Sequence, residues 1–374
     1  MTSWVQYSPT RIIFGRGETQ NVGNSLSQTG HRSVLLVADP FMAHSGVADK
    51  LVAASQGIIR GVYSDVDPNP TVHNVNGAVA AAKKIQADGI VALGGGSVID
   101  ASKAAAAAIG SDVSAEDLVT GSPVSRALPI IAVPTTAGTG SEVTPVAIIS
   151  WEEKDIKFPL GSPLLFPELA IVDSTLVYSA PPRIIATAGV DVIAHCLDAL
   201  SSVKHTPLSD MNALNGAEIA FANLEKAVND KDHDSIDAMM LASLIAGLAF
   251  SQTGTTGSHA ASYYLTSKYG VPHGEATAFT EDAWIRVNAQ ARPEINTLLQ
   301  RIGFKDADEA ADRLNVVKAN IGMRMTLEEI NVPLEDIEIV AQKTLEANNY
   351  KNNVAQLSLA EVVELLRTKS AQLM

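Results

Sequence analysis

The strongest constraint on this chain is a rhythm in its first half, where short β-branched and aliphatic runs alternate with Ala-rich stretches. Continuous apolar strands separated by helix-forming segments are buried on both faces, as in a parallel sheet covered by helices. Val34-Leu35-Leu36-Val37-Ala38 reads as one such strand, ending at Asp39-Pro40. Gly89-Ile90-Val91-Ala92-Leu93 reads as a second. It runs directly into Gly94-Gly95-Gly96-Ser97, and the following Val98 to Ile109 has helix-forming composition. Ile130-Ile131-Ala132-Val133 is a third strand, stopped by Pro134. Asp67-Pro68-Asn69-Pro70-Thr71 predicts a turn, because each proline disfavours helix in the residue before it.

From about Pro181-Pro182 the β-branched runs largely disappear and helical periodicity takes over. The expected organisation is therefore an α/β domain over residues 1–180 and an all-helical domain over 181–374. Two late helix starts carry capping boxes, Thr326-x-x-Glu329 and Ser358-x-x-Glu361. Beyond the second, Leu359, Val362, Val363, Leu365 and Leu366 fall mainly on one stripe, read as core packing.

Composition excludes several function classes. Lys plus Arg number 27 against 41 Asp plus Glu, a formal charge of −14, which argues against a nucleic-acid role because such binding rests on basic side chains. A single cysteine, Cys196, can form no internal disulfide, so a reducing cytoplasm is expected. Its apolar flanks point to a buried, inert thiol. No basic segment followed by an apolar run opens the sequence. No uninterrupted apolar run approaches the roughly 20 residues of a membrane span, and Leu241 to Phe250 is too short.

Chemistry concentrates in a few segments. The Gly94–Ser97 turn sits between strand and helix, where free N–H groups and the positive dipole end favour a diphosphate; alone, it reads equally as a plain tight turn. Pro134-Thr135-Thr136-Ala137-Gly138-Thr139-Gly140-Ser141-Glu142 also follows a strand and is dense in hydroxyls and unhindered amides. Two such loops suggest one long ligand with phosphates in its middle. Asp39, at a strand end, is able to accept hydrogen bonds from ribose hydroxyls, or simply to cap a turn. In the helical half, Asp191 and His195 are four apart and share a helix face, which suits either chelation of one ion or a capping or core role. With His259 and His273 they would make a mixed N/O site suited to Fe²⁺ or Zn²⁺. The other histidines (31, 44, 73, 205 and 233) read as solvated surface residues.

Taken together, these residues resemble the iron-containing (group III) alcohol dehydrogenases. The matching elements are Gly94-Gly95-Gly96-Ser97-x-x-Asp100-x-x-Lys103, Pro134 to Thr144, Lys157 ahead of Pro163, Gly189-x-Asp191-x-x-x-His195 and His259-x13-His273-Gly274, in the family's order. The resemblance implies a Rossmann-like dinucleotide-binding domain, an all-helical domain, a dehydroquinate synthase-like architecture, and a cleft holding metal and nicotinamide. It places Asp191, His195, His259 and His273 as metal ligands, and Asp39 as the acid favouring NAD over NADP. Asn69, Gly94, Gly95, Gly96, Ser97, Asp100, Thr135, Thr136, Thr139, Ser141 and Lys157 fall on positions that line the cofactor. Tyr263 replaces a second histidine common near the substrate, which puts a His-dependent proton relay in doubt, since a phenol donates but accepts poorly at neutral pH. Asp198 stands where Glu is usual, and Thr255-Thr256-Gly257-Ser258 is small and polar, a hint of a polar or hydroxylated substrate.

The expected activity is therefore NAD-dependent, metal-activated alcohol dehydrogenation or aldehyde reduction by a homo-oligomer built from dimers, with a small molecule as its partner rather than nucleic acid or membrane. The alternatives are a glycerol dehydrogenase-like or dehydroquinate synthase-like relative, or a nucleotide-binding homologue impaired in catalysis.

Overall fold

The computed structural model describes residues 3–154 and 156–372. It divides into two compact units. One comprises Tyr7–Thr136 and Gly140–Val177; the other runs from Tyr178 onward and takes in Ala137–Thr139 and the segment before Tyr7.

The first unit holds β1 (Arg11–Phe14), β2 (Val34–Ala38), β3 (Ile59–Tyr63), β4 (Gly89–Gly94), β5 (Ile130–Pro134), β6 (Val146–Trp151), β7 (Ile156–Gly161) and β8 (Leu169–Val172). Its helices are α1 (Val22–Thr29), α2 (Pro40–His44), α3 (Val47–Ala54), α4 (Val72–Lys84), α5 (Gly96–Ser111) and α6 (Ala115–Val119). Six strands form a sheet in the order β1-β8-β5-β4-β2-β3, every pair of it parallel, while β6 and β7 make a separate antiparallel hairpin. Each central strand feeds both faces of the sheet. Leu35, Val37, Ile90 and Ala92 enter the core that includes α4 and α5, whereas Leu36, Val91 and Leu93 enter the core that includes α1 and α3. That double burial is why these strands read as unbroken apolar runs. On α5, buried alanines from Ala101 to Ala108 keep the helix surface flat enough to lie close on the sheet. Pro134 does not stop β5 but ends it, opposite Gly94 of β4. Because β4 inserts beside β2 on the side away from β3, the chain order reverses there, and the carboxyl ends of β2 and β4 flank a topological switch point.

The second unit is helical: α7 (Pro182–Leu200), α8 (Pro207–Asn229), α9 (His233–Thr253), α10 (Gly257–Tyr269), α11 (His273–Ala291), α12 (Glu294–Gln300), α13 (Ala307–Asn320), α14 (Ile337–Glu346) and α15 (Leu359–Arg367). Every residue of α7 from Gly189 to Leu200 is buried, as in a helix enclosed on all sides. By length and composition α9 could cross a membrane, although the run-length reading of the sequence gave no such helix; 56% of its most apolar window is buried in the protein and it packs on α7 and α8, which accounts for its composition as core.

The Ser358–Glu361 box caps α15, and Val362, Leu365 and Leu366 are buried while Leu359 is 37% exposed. The Thr326–Glu329 box also forms, through Glu329 N–H to Thr326 Oγ1 and Thr326 N–H to Glu329 Oε2, but no α-helix follows it. Asn331 at φ 58° and Pro333 end the turn first. Asp282 of α11 sits in an ionic knot, accepting from Lys318 Nζ at 2.8 Å and from Lys369 Nζ at 2.5 and 2.6 Å. Lys318 and Lys369 are 1% and 5% exposed.

Candidate metal and dinucleotide sites

Polar residues inside an enclosed helix need partners or a ligand. On α7, Asp191, His195 and Asp198 follow one another at spacings of four and three and so form one stripe. His259 lies in the first turn of α10. His273, Thr277 and Glu281 form a second stripe along α11. Ligand atoms of Asp191, His195 and His259 all lie within 4.8 Å of one another and are buried. His259 Nε2 is 3.6 Å from Asp191 Oδ1, and His195 Nδ1 is 4.0 Å from Asp191 Oδ2. The His195 ring is stacked between Phe250 and His259, at centroid distances of 4.2 and 4.6 Å. His273 stands beside this cluster rather than within its 4.8 Å, its ring 5.6 Å from that of His259 at 67°.

The donors fit a divalent ion. His195 Nδ1 and His259 Nε2 are buried and have no hydrogen-bond partner among the described residues, the state expected of imidazole nitrogens kept for a metal. The opposite nitrogen of His259, Nδ1, donates to Asp198 Oδ2 at 2.7 Å, which fixes the tautomer with Nε2 as acceptor toward the cluster. Asp191 Oδ1 accepts from Thr277 Oγ1 at 2.7 Å. Burial, with His259 second, holds His195 well below the usual imidazole range; for His259 burial acts the same way but Asp198 outweighs it and raises the pKa.

Asp198 is the hub of the support. It accepts from Thr256 N at 2.7 Å, Thr256 Oγ1 at 2.5 Å, Ser258 Oγ at 3.0 Å and His259. The polarity of the 255–258 segment is thereby largely accounted for, since Thr256 and Ser258 are 0% exposed and serve Asp198 rather than a ligand. Glu281 is also 0% exposed, and burial, reinforced by Asp198, pushes its carboxyl well above the usual range. Cys196 is buried, and burial pushes its thiol up, so it is inert as expected. The first turn of α11 is seated tightly: a Cβ on Gly274 would lie 1.9 Å from the Thr187 carbonyl oxygen of α7. Next to it, Glu275 accepts from both Arg183 (2.5 Å) and Arg324 (2.6 Å).

In the sheet unit, Asp39, Gly94–Ser97 and Thr135 gather at the carboxyl ends of β2, β4 and β5, neighbours through β4. Gly95 precedes α5 and supplies no capping side chain, which leaves the helix N-terminus unblocked. A Cβ there would meet Thr136 at 3.2 Å. Thr135 N–H bonds Gly94 O at 3.1 Å, joining the two loops. Asp39 caps α2 through Oδ1, accepting from Met42 N at 2.8 Å, and its other oxygen makes no bond among the described residues. Asn69, at φ 60°, donates to Ser97 Oγ and accepts from Lys157 Nζ, each at 3.3 Å, so three of the predicted residues meet.

Asp100 and Ser141 bind each other (2.7 Å), and Asp100 also accepts from Ile148 N at 2.9 Å. Its two carboxylate oxygens therefore tie the loop after β5 to strand β6. Lys103, 0% exposed, reinforces it by donating to the Ser141 and Val146 carbonyls and to the Ser141 and Thr144 hydroxyls; burial lowers its pKa to about 8. Thr139 belongs to the helical unit, where its neighbour Gly138 packs on Ala188.

Of the remaining histidines, only His31 departs from the solvated reading, being partly buried against Glu168 at 3.0 Å; His205 and His233 are exposed as expected, although His205 pairs with Asp210 at 3.1 Å and His233 stacks on Tyr178 at 3.8 Å. The supporting roles of Asp198 and Thr277 went unread in the sequence, although the four-residue spacing of His273 and Thr277 carried a signal for the second.

Residues 9–174 match the family described as iron-containing alcohol dehydrogenase, and residues 185–370 match its C-terminal domain. The 1-propanol dehydrogenase PduQ of Salmonella typhimurium is 34% identical over 89% of this chain and 84% of its own length. Alcohol dehydrogenase 4 of Saccharomyces cerevisiae (strain YJM789) is 29% identical over 96% of this chain and 97% of its own. Among solved structures, sulfoacetaldehyde reductase from Bifidobacterium kashiwanohense in complex with NAD⁺ superposes with a TM-score of 0.95 at 36% identity, covering 99% of this chain and 100% of that one. With matches spanning both units, the chain belongs to the iron-containing alcohol dehydrogenase family, oxidoreductases acting on alcohols.

Proposed function

We propose that the protein transfers hydride between NAD and a small polar primary or secondary alcohol, with a divalent ion held by Asp191, His195, His259 and His273. The observation that carries this reading is the pair of buried, unpartnered ring nitrogens facing Asp191. A bound Fe²⁺, or Zn²⁺ in its place, supplies Lewis acidity toward the substrate oxygen. Asp198 keeps the His259 lone pair turned to the ion, and Thr277 fixes the rotamer of Asp191. The 36% identity to a structure described as an NAD⁺ complex supports NAD as the dinucleotide. Its diphosphate would rest on the Gly94–Ser97 turn and the N-terminus of α5, along with Thr135, Thr136, Thr139 and Ser141. Asn69 and Lys157 would lie alongside. The unused oxygen of Asp39 would accept from ribose hydroxyls and repel a 2′-phosphate, making NADP the poorer cofactor.

The protein would work in the cytoplasm as a homo-oligomer built from dimers, without nucleic acid or membrane as partner. Residues 1–180 would form the dinucleotide domain and 181–374 the metal domain. The test is direct: purified protein reloaded with Fe²⁺ or Zn²⁺ is assayed for NADH oxidation against small aldehydes and ketones, with metal quantified on the same sample. About one ion per chain and turnover are expected; failure with every substrate would refute the reading. Light scattering of the same sample checks the dimer.

A further inference from the structure

Of the four candidate ligands, His273 is the one that starts its helix. Asp191 and His195 lie inside α7 with helical turns on either side, and the His259 ring is tied to Asp198. Helix α10, which carries His259 in its first turn and Tyr263 in its second, ends at Gly270 (φ 67°), and Val271 and Pro272 alone separate that glycine from His273. The first turn of a helix has no preceding turn to bond its N–H groups, so its position is set by what it packs on. The His273 ring lies 5.6 Å from that of His259. Two imidazoles on one ion have centroids at most about 6.5 Å apart, given a metal–nitrogen length of about 2.1 Å, so one ion can bridge these rings.

Three contacts seat the first turn of α11. Gly274 lets it touch α7: a Cβ there would lie 1.9 Å from the Thr187 carbonyl oxygen and 2.9 Å from the Asp191 Cβ. Thr277 Oγ1 donates to Asp191 Oδ1 at 2.7 Å. Glu275, 1% exposed, carries the charge. Its Oε2 accepts from Nη2 of Arg183, in the first turn of α7, at 2.5 Å and from Arg324 Nη2 at 2.6 Å. Its Oε1 accepts from the Arg324 amide at 3.0 Å and from Arg324 Nε at 3.1 Å. Arg183 Nη1 reaches on to the Gly322 carbonyl at 3.2 Å. One carboxylate therefore ties the start of α11 to the start of α7 and to the segment after α13. Desolvation offsets much of the attraction in such a cluster, but its forked hydrogen bonds admit a single geometry, and what they specify is register.

We propose that Glu275, held by Arg183 and Arg324, is the positioning residue that fixes His273 as the fourth ligand, leaving a three-ligand site of Asp191, His195 and His259 when this clamp opens. This rests on the metal reading above.

The experiment titrates the metal-free protein with Co²⁺, whose visible bands report the number and kind of its ligands, and measures Zn²⁺ affinity by chelator competition. His273→Ala is the reference for the three-ligand site. Glu275→Gln keeps the shape of the side chain, but its NH₂ must face one of two pairs of N–H donors, neither of which can turn to accept. Its Co²⁺ spectrum should shift toward that of His273→Ala, and its Zn²⁺ affinity should fall about 10-fold or more. Arg183→Met is the milder opening, since Glu275 keeps Arg324, and it should shift the spectrum the same way; Arg183→Lys, which keeps a cation on α7, should retain more of the wild-type spectrum. Glu225→Gln breaks the pair with Arg313 on helices that carry no candidate ligand, and should leave the spectrum as in wild type. Wild-type spectrum and affinity in both Glu275→Gln and Arg183→Met, or a shift in Glu225→Gln as large as theirs, overturns this inference alone. A wild-type spectrum in His273→Ala overturns the ligand assignment, and the inference with it.

Discussion

Replacing Asp198 by Asn tests whether the metal-facing geometry is set from behind. Asp198 Oδ1 accepts from the Thr256 and Ser258 hydroxyls, and Oδ2 from the Thr256 amide and His259 Nδ1. An asparagine can turn its NH₂ toward the two hydroxyls, which are free to rotate and accept, while its oxygen keeps the two N–H donors that have no such freedom. The bond to His259 thus survives without its charge. Exchanging charge-assisted for neutral hydrogen bonds costs about 1–3 kcal/mol of stability. Loss of a supporting carboxylate lowers metal affinity about 10- to 100-fold.

The pH dependence gives the sharper signature. In wild type Asp198 raises the His259 pKa, so protons compete with the ion as pH falls through that raised value. Without the anion the His259 pKa drops and that competition moves to lower pH. The affinity gap between wild type and Asp198→Asn should therefore be widest at neutral to alkaline pH and shrink on acidification. Chelator competition at several pH values reads the affinity, and thermal melting of the metal-free protein reads the stability. Equal affinity in the two proteins, or a gap that widens at low pH, would refute the argument.

Gly274→Ala would put a Cβ 1.9 Å from the Thr187 carbonyl oxygen, so it should cost about 3 kcal/mol or more in urea denaturation; a cost under about 1 kcal/mol would mean that α11 moves freely on α7. The ionic knot at Asp282 predicts an acid limb in stability. Its carboxyl falls from 3.8 to about 2 in the folded protein, burial opposing and Lys318 then Lys369 prevailing. A depressed carboxyl stabilises above the unfolded pKa, so roughly 2 kcal/mol should be lost between about pH 4 and pH 2, and Asp282→Asn should lack that limb in pH-dependent melts. Asp39→Ser should narrow the preference for NAD over NADP several-fold in KM, whereas an unchanged ratio would assign Asp39 to capping α2 alone.

What could be read from the sequence was what repeats locally. The central strands β2, β4 and β5 announced themselves because both their faces are buried, leaving no polar alternation to interrupt the run. The β6–β7 hairpin did not, since the exposed Lys157 and Pro159 interrupt the pattern of β7. The candidate ligands Asp191 and His195 were visible as a pair on one helix, but their meeting with His259 depends on how α10 packs, which no spacing encodes. The Thr326 box shows the opposite failure: its local chemistry is correct and fully formed, yet Asn331 and Pro333 close the turn before a helix can propagate.

The Asp282 knot also dictates an order of assembly. Asp282 lies on α11, but Lys318 follows it by 36 residues and Lys369 by 87. A chain made from its N-terminus can complete the helices that carry the candidate ligands before the second lysine exists, with a carboxylate in their core only half compensated. Commitment of the helical unit to its final packing therefore waits for residue 369, and refolding of a chain lacking Lys369 should stall at a compact but unsettled stage, after helix formation and before side-chain order.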